Sequence, residues 1–364
     1  MTSISEIFTT FGPEYLQRYA NLMPKTHRKA IDAITACRTE LCGIAHYQCE
    51  KCYESHQLYR SCGNRHCPTC QHHKTQQWLQ KQLQRQLPGH HFLITFTVPE
   101  KLRPFIRQNQ RVAYSALFKA SSDAIKKLTL DQNFVGADIP GFFGVLHTWG
   151  RTLQYHPHIH YIVAGGALAS TDGSWHPSRT DFFLPVKALS KIFRAKFRDQ
   201  IKQAGRFDQI PSEVWHIDWN VNCQAVSSSE ASLKYLAPYV FKVAISNSRI
   251  VKVQDRTVLI RYRKPHSERP RILALEVMEF IRRFLQHVLP TGFMKVRYYG
   301  LMNPNCAVSL DRIRALIEIS YGFTIDLPKS DVEPPRSYTC KSCGGLLKLR
   351  ALLLPAARVL LWSG

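Results

Sequence analysis

Two Cys-x2-Cys knuckles, Cys49-Glu50-Lys51-Cys52 and Cys67-Pro68-Thr69-Cys70, lie fourteen residues apart, and no other feature of the sequence constrains its folding as tightly. Each knuckle presents two sulfurs to one point, so four thiolates at this spacing can close tetrahedrally on zinc while the intervening chain forms a short hairpin. The stretch is polar and contains Gly63, a poor setting for cysteines packed merely as small hydrophobes. Residues 1–11 carry no basic segment followed by an apolar run, so no secretory leader is expected and the thiols should be reduced. Cys49, Cys52, Cys67 and Cys70 are therefore the expected ligands of a structural Zn2+. Cys37, Cys42, His46, Cys62 and His66 lie close enough in sequence to furnish a second ion, whereas Cys340-Lys341-Ser342-Cys343 reads as half a site without partners.

Charge narrows the partner. Forty-nine Lys and Arg against 26 Asp and Glu give a formal charge of +23, a self-repulsion that a polyanion would relieve, so nucleic acid is the expected partner. Hydrophobic residues at 45% and charged residues at 21% suit a globular chain and exclude wholesale disorder. The apolar runs Phe92–Phe96 and Ala351–Leu361 are too short or too interrupted to span a bilayer, and no membrane partner is expected.

Three segments separate by pattern: 1–87 with the cysteines, 88–300, and a C-terminal extension, 301–364. The first ends in a helical stretch over 75–87, stopped by Pro88-Gly89. The second opens with a strand over 91–98 and a long helix over 102–128. Two β-like runs follow, 142–149 and 158–164, joined by a polar connection that suggests a hairpin. A helix over 190–204, a strand over 215–226, a helix starting at Ser227-Ser228-Ser229-Glu230, a hairpin around Gln254-Asp255-Arg256 and a helix over 273–288 complete it. The last segment is less periodic, and its apolar, basic end, 346–364, is consistent with a truncation or frame change.

Candidate chemistry lies in two places. In His158-Ile159-His160, strand alternation puts both imidazoles on one face, where with a third ligand they could hold a divalent cation that polarises a phosphate. Tyr235 and Tyr239, in Lys234-Tyr235-Leu236-Ala237-Pro238-Tyr239, share a helix face at i and i+4. A phenol attacking a phosphodiester conserves the ester bond and needs no ATP, in keeping with the lack of a Gly-Lys-Ser/Thr phosphate loop and of any expected nucleotide cofactor. Pro238 removes a helical hydrogen bond just before Tyr239, so Tyr235 is the preferred first nucleophile.

These blocks together resemble the HUH-type, two-tyrosine rolling-circle transposases of bacterial insertion sequences, which carry an N-terminal zinc-binding domain. The matching stretches are Ser61 to Cys70, His147-Thr148-Trp149-Gly150, His156-Pro157-His158-Ile159-His160, Tyr235 to Val240 and Arg282 to Pro290. The resemblance implies an α+β fold: an N-terminal zinc-binding, DNA-binding module followed by an HUH endonuclease domain, an antiparallel sheet flanked by helices. It also implies that His158 and His160 bind metal, that Tyr235 and Tyr239 are nucleophiles, and that the substrate is single-stranded DNA at transposon ends, nicked to a 5′-phosphotyrosine and rejoined to target DNA. If 142–164 is a hairpin, His147 on the neighbouring strand can face His158, and it is preferred as third ligand over Gln154 and His156. Mg2+ or Mn2+ would suit this site better than zinc, although nitrogen ligands alone do not choose. Such a protein is expected in the bacterial cytoplasm, on DNA; the sequence does not give its oligomeric state. A replication initiator or relaxase would share the chemistry, and a non-catalytic zinc DNA-binding protein would use the cysteines alone. A carboxylate-based transposase is disfavoured by the scarcity of acids.

Overall fold

A computed structural model describes residues 3–226, 233, 244–264, 267–322 and 338–354. The helix expected from Ser227, with Tyr235 and Tyr239, lies outside the described residues, as does 355–364. In chain order the described strands are β1 (Ile44–Cys49), β2 (Ser55–Tyr59), β3 (His91–Thr97), β4 (Ile139–Trp149), β5 (Tyr155–Leu168), β6 (Trp175–Pro177), β7 (Val221–Val226), β8 (Ile250–Gln254), β9 (Thr257–Arg263), β10 (Pro270–Glu276), β11 (Val296–Gly300) and β12 (Leu347–Leu353). The protein is α+β, with antiparallel sheets and helices. No helix among the described residues is long and apolar enough to cross a membrane.

The chain divides into two compact units that do not follow chain order: one comprises Met1–Lys74, Phe241–Val288 and Asp331–Gly364, the other Thr75–Val240 and Leu289–Ser330. The three consecutive segments read from composition are therefore interleaved, and the stretch 338–354 belongs with the N-terminal residues.

In the first unit, Ser3 caps the helix Ile4–Tyr19 by accepting from the Glu6 amide, a donor the helix itself leaves without an internal acceptor. Its apolar side meets the helix Val277–Leu285, where Phe8 and Phe284 pack edge to face at 5.0 Å. That second helix was expected from residue 273, but 270–276 form strand β10. Glu276 sets the boundary, its carboxylate accepting from the amides of Met278 and Glu279. Strands β8, β9 and β10 form one sheet, and β12, β1 and β2 another in which β1 is central.

The second unit is built on the sheet β11-β4-β5-β3-β7, with β6 beside the far end of β5; every pairing is antiparallel. Strands β4 and β5 are buried along most of their length, as central strands should be. One sheet face, carrying Phe92, Ile94, Phe96, Phe142, Leu146, Ile159 and Tyr161, forms the main core with residues of the helices Gln110–Thr129 and Val186–Gln203. The single helix expected over 102–128 is split into Arg103–Gln108 and Gln110–Thr129 at Asn109, whose side chain donates back to the Phe105 carbonyl. Only 221–226 of the expected strand 215–226 pairs. Within the extension, read as less periodic than the rest, Leu310–Tyr321 is helical, capped by Ser309 and ended by Gly322 in the left-handed conformation.

Candidate active site and cysteine clusters

Alternation along β5 turns Ile159 and Tyr161 into the core and His158 and His160 to the opposite face. On β4, His147 stands directly across from His158, and on β3, Thr95 stands across from His160. A register shift follows immediately: His147 pairs with His158, but Trp149 pairs with Tyr155, so β5 carries one extra residue. Pro157, which has no amide hydrogen to give the ladder, lies in that extra stretch and accounts for the bulge. The Nδ1–H of His158 donates to the His156 carbonyl at 2.6 Å across the bulge, which places the lone pair of its neutral ring on Nε2. The Thr95 hydroxyl holds Nδ1 of His160 at 2.8 Å.

The three rings converge. Their centroids are 5.3 Å (His147–His158), 4.7 Å (His147–His160) and 4.8 Å (His158–His160) apart, and one ligand nitrogen of each lies within 4.8 Å of the others. Burial holds all three neutral: the His160 pKa is pushed down to about 4, chiefly by desolvation and then by His156. Desolvation, followed by the neighbouring imidazoles, drives His147 and His158 well below the usual range. Three neutral imidazoles with Nδ1 of two rings already engaged suit a divalent cation that keeps open positions for substrate oxygens. Of the two other ligands considered, Gln154 has its carboxamide oxygen engaged by the Thr152 amide at 3.0 Å, and His156 does not join the three-histidine group.

Two further residues frame the site. Trp149 stacks on His147 at 4.8 Å and 22°, and the Lys295 ammonium lies 4.7 Å from the Trp149 ring centroid. Sequence reasoning did not single out Lys295; it arrives through the segment leading into β11, where its carbonyl accepts from the Leu146 amide at 3.0 Å. No local pattern marks it. Elsewhere in the chain, Arg282 and Arg283 are paired with Glu279, whose carboxyl they hold down at about 2. Arg297 lies over the Phe118 ring at 4.4 Å.

Eight of the eleven cysteines fall into two sets of four, and the division corrects the sequence reading. Cys49 and Cys52 do not share a site with Cys67 and Cys70. Cys67 and Cys70 gather with Cys37 and Cys62, the last with its sulfur 3.7 Å from that of Cys70. Cys49 and Cys52 gather with Cys340 and Cys343, the pair expected to lack partners. Cys42, His46 and His66 belong to neither set: the Cys42 thiol donates to the Ala36 carbonyl, His46 sits within β1, and Arg65 approaches the buried His66 ring at 3.4 Å. Tetrahedral Zn–S bonds of about 2.3 Å place sulfurs about 3.8 Å apart, so sulfur contacts of 3.4–3.7 Å fit zinc thiolate clusters.

Two family models match parts of the chain. The family described as "Putative transposase" matches residues 141–309, and "Transposase zinc-binding domain" matches residues 7–98. The chain is 32% identical over 356 residues to "Putative transposase y4qJ" of Sinorhizobium fredii (strain NBRC 101917 / NGR234), covering 92% of this chain and 88% of that protein. It is 27% identical over 321 residues to "Transposase for insertion sequence element IS801" of Pseudomonas savastanoi pv. phaseolicola, covering 80% and 74% respectively. No solved structure matches. The chain belongs to the transposases of bacterial insertion sequences that join a transposase zinc-binding domain to a DNA-cleaving transposase domain.

Proposed function

We propose that this transposase nicks and rejoins single-stranded DNA at transposon ends by tyrosine transesterification, using His147, His158 and His160 to hold Mg2+ or Mn2+. The convergence of three neutral imidazoles on adjacent strands of an antiparallel sheet carries this reading. When bound there, the cation supplies Lewis-acid polarisation of the scissile phosphate. The Thr95 hydroxyl and the His156 carbonyl orient the two β5 rings, and the ammonium of Lys295 adds positive charge beside the phosphate. Trp149 offers an aromatic face on which an unpaired base can stack.

In the proposed step, the Tyr235 phenol oxygen forms a bond to phosphorus as the bond from phosphorus to the 3′ oxygen breaks. The phenol proton ends on that oxygen, leaving a free 3′ hydroxyl and a 5′-phosphotyrosine. The reverse attack, by the same or another 3′ hydroxyl, rejoins DNA without ATP. Tyr239 provides a second nucleophile while Tyr235 is occupied.

Labelled single-stranded DNA carrying the transposon terminus, incubated with the full chain, is expected to give a covalent adduct that survives denaturation and requires the divalent cation. Replacing both tyrosines (Tyr235→Phe with Tyr239→Phe), or both β5 histidines (His158→Ala with His160→Ala), should abolish the adduct while DNA binding persists. An undiminished adduct from the double tyrosine variant would overturn the assignment.

A further inference from the structure

We propose that Cys49, Cys52, Cys340 and Cys343 form a second structural zinc site, distinct from that of Cys37, Cys62, Cys67 and Cys70, in which residues 338–354 complete the N-terminal module. Sulfur geometry is the first support: Cys49 and Cys343 lie 3.4 Å apart and Cys52 and Cys340 lie 3.7 Å apart, too far for disulfides and right for thiolates sharing one ion.

The two knuckles also repeat one local structure. The Tyr53 amide donates to the Cys49 carbonyl at 3.1 Å, and the Gly344 amide donates to the Cys340 carbonyl at 2.9 Å. In both, the residue after the second cysteine is left-handed, at φ 60° for Tyr53 and 71° for Gly344. Such a turn aims two sulfurs from one short segment at a single point. A non-glycine residue in that conformation is uncommon, so its recurrence at Tyr53 indicates that the turn is imposed by what the sulfurs must do.

Close approach is built in. A Cβ at Gly345 would stand 2.9 Å from the Cys49 sulfur and 2.8 Å from the Lys51 Cβ, so only glycine lets the second knuckle lie against the first. The chain on either side is fastened by backbone bonds: β12 pairs antiparallel with β1 from Ile44↔Leu353 to Cys49↔Leu347, and the Glu50 amide donates to the Leu346 carbonyl at 2.9 Å. His56 on β2 places Nε2 3.3 Å from the Cys340 sulfur, where an N–H donor would offset negative charge on a thiolate. The site is thus closed by four sulfurs with an outer partner, as a structural ion requires, and the fit does not depend on the nicking chemistry.

The test is zinc content of the purified full chain after exhaustive dialysis, measured by mass spectrometry, with paired substitutions to show which cysteines share an ion. The parent should hold two zinc ions per chain. Cys340→Ser with Cys343→Ser should hold one, as should Cys49→Ser with Cys52→Ser. Combining those four changes should still leave one, whereas Cys340→Ser with Cys62→Ser should leave none. Two ions retained after loss of Cys340 and Cys343, or a single ion in the parent lost on replacing Cys49 or Cys67 alike, would overturn the proposal. If the serine variants are insoluble, the Cys340→His chain loaded with Co2+ decides: a visible spectrum shifted as one sulfur ligand becomes nitrogen supports the site, and a spectrum identical to the parent's overturns it.

Discussion

Gly144→Ala should destabilise the sheet beneath the histidines, by an amount its surroundings fix. Gly144 on β4 lies directly opposite Tyr161 on β5, and a Cβ there would stand 2.4 Å from Cε1, 2.7 Å from Cδ1 and 2.9 Å from Cζ of that ring. Carbon atoms pack at about 3.5–4.0 Å, so the overlap exceeds about 1 Å. The ring has nowhere to go: it is fully buried, has Phe96, Phe142 and Tyr299 around it, and its hydroxyl bonds Ser121 at 2.7 Å. The strain must pass into β4 and β5, one residue from His160 and three from His147. Overpacking of a tight core costs about 1–3 kcal/mol. For a domain of about 150–250 residues each kcal/mol lowers Tm by about 2–4 °C, so thermal unfolding of the full chain should fall by roughly 2–12 °C. Tyr161→Ala alone should cost about 3–5 kcal/mol. With the offending atoms gone, adding Gly144→Ala to it should cost almost nothing more. A single Gly144→Ala chain melting within about 1 °C of the parent, or an equal penalty in the Tyr161→Ala background, would refute the reasoning.

Acidification should also weaken the fold through His91, whose pKa burial depresses to about 4 and whose Nδ1–H donates to the Gly89 carbonyl. Because the unfolded chain takes up that proton near pH 6.5 and the folded chain does not, stability is full above about 6.5 and is lost as pH falls toward about 4. Urea unfolding at about pH 7.5 and about pH 5 should show His91→Gln removing about 2 kcal/mol of that dependence, and an unchanged slope would count against a buried neutral ring. Thr95→Val removes the hydroxyl that holds His160 without changing side-chain shape; calorimetric Mn2+ affinity should drop about 10–100-fold with Tm nearly constant, and unaltered affinity would rule out an orienting role.

Much of the sheet that carries the three histidines was legible because its residues are neighbours in sequence. The hairpin of β4 and β5 is local, and its two-residue period put His158 and His160 on one face and brought His147 opposite. The cysteine knuckles were equally plain, but their partnership was not: Cys49–Cys343 and Cys52–Cys340 are separated by 294 and 288 residues, and no periodicity encodes a contact at that range. Spacing favoured the nearer knuckle, which had already closed on Cys37 and Cys62. At 273–288 the residues Leu275, Met278, Ile281 and Leu285 fit a helical stripe, yet 270–276 pair with β9, and Glu276 starts the helix there by capping it. Lys295 was missed because it owes its place to β11 joining β4, a pairing without local signature.

The position of β12 has a consequence for the order in which the protein is made. Strand β1 and its knuckle leave the ribosome first, yet the strand that pairs beside them is translated only after the whole sheet unit has been synthesised. At about 5–20 residues per second, that interval is roughly 15–60 s. During it, one edge of β1 stands open with its backbone groups exposed, a template for pairing with another nascent chain. Assembly of the N-terminal module is therefore a late event in the life of the polypeptide, and a chain released before residue 347 would carry that open edge permanently.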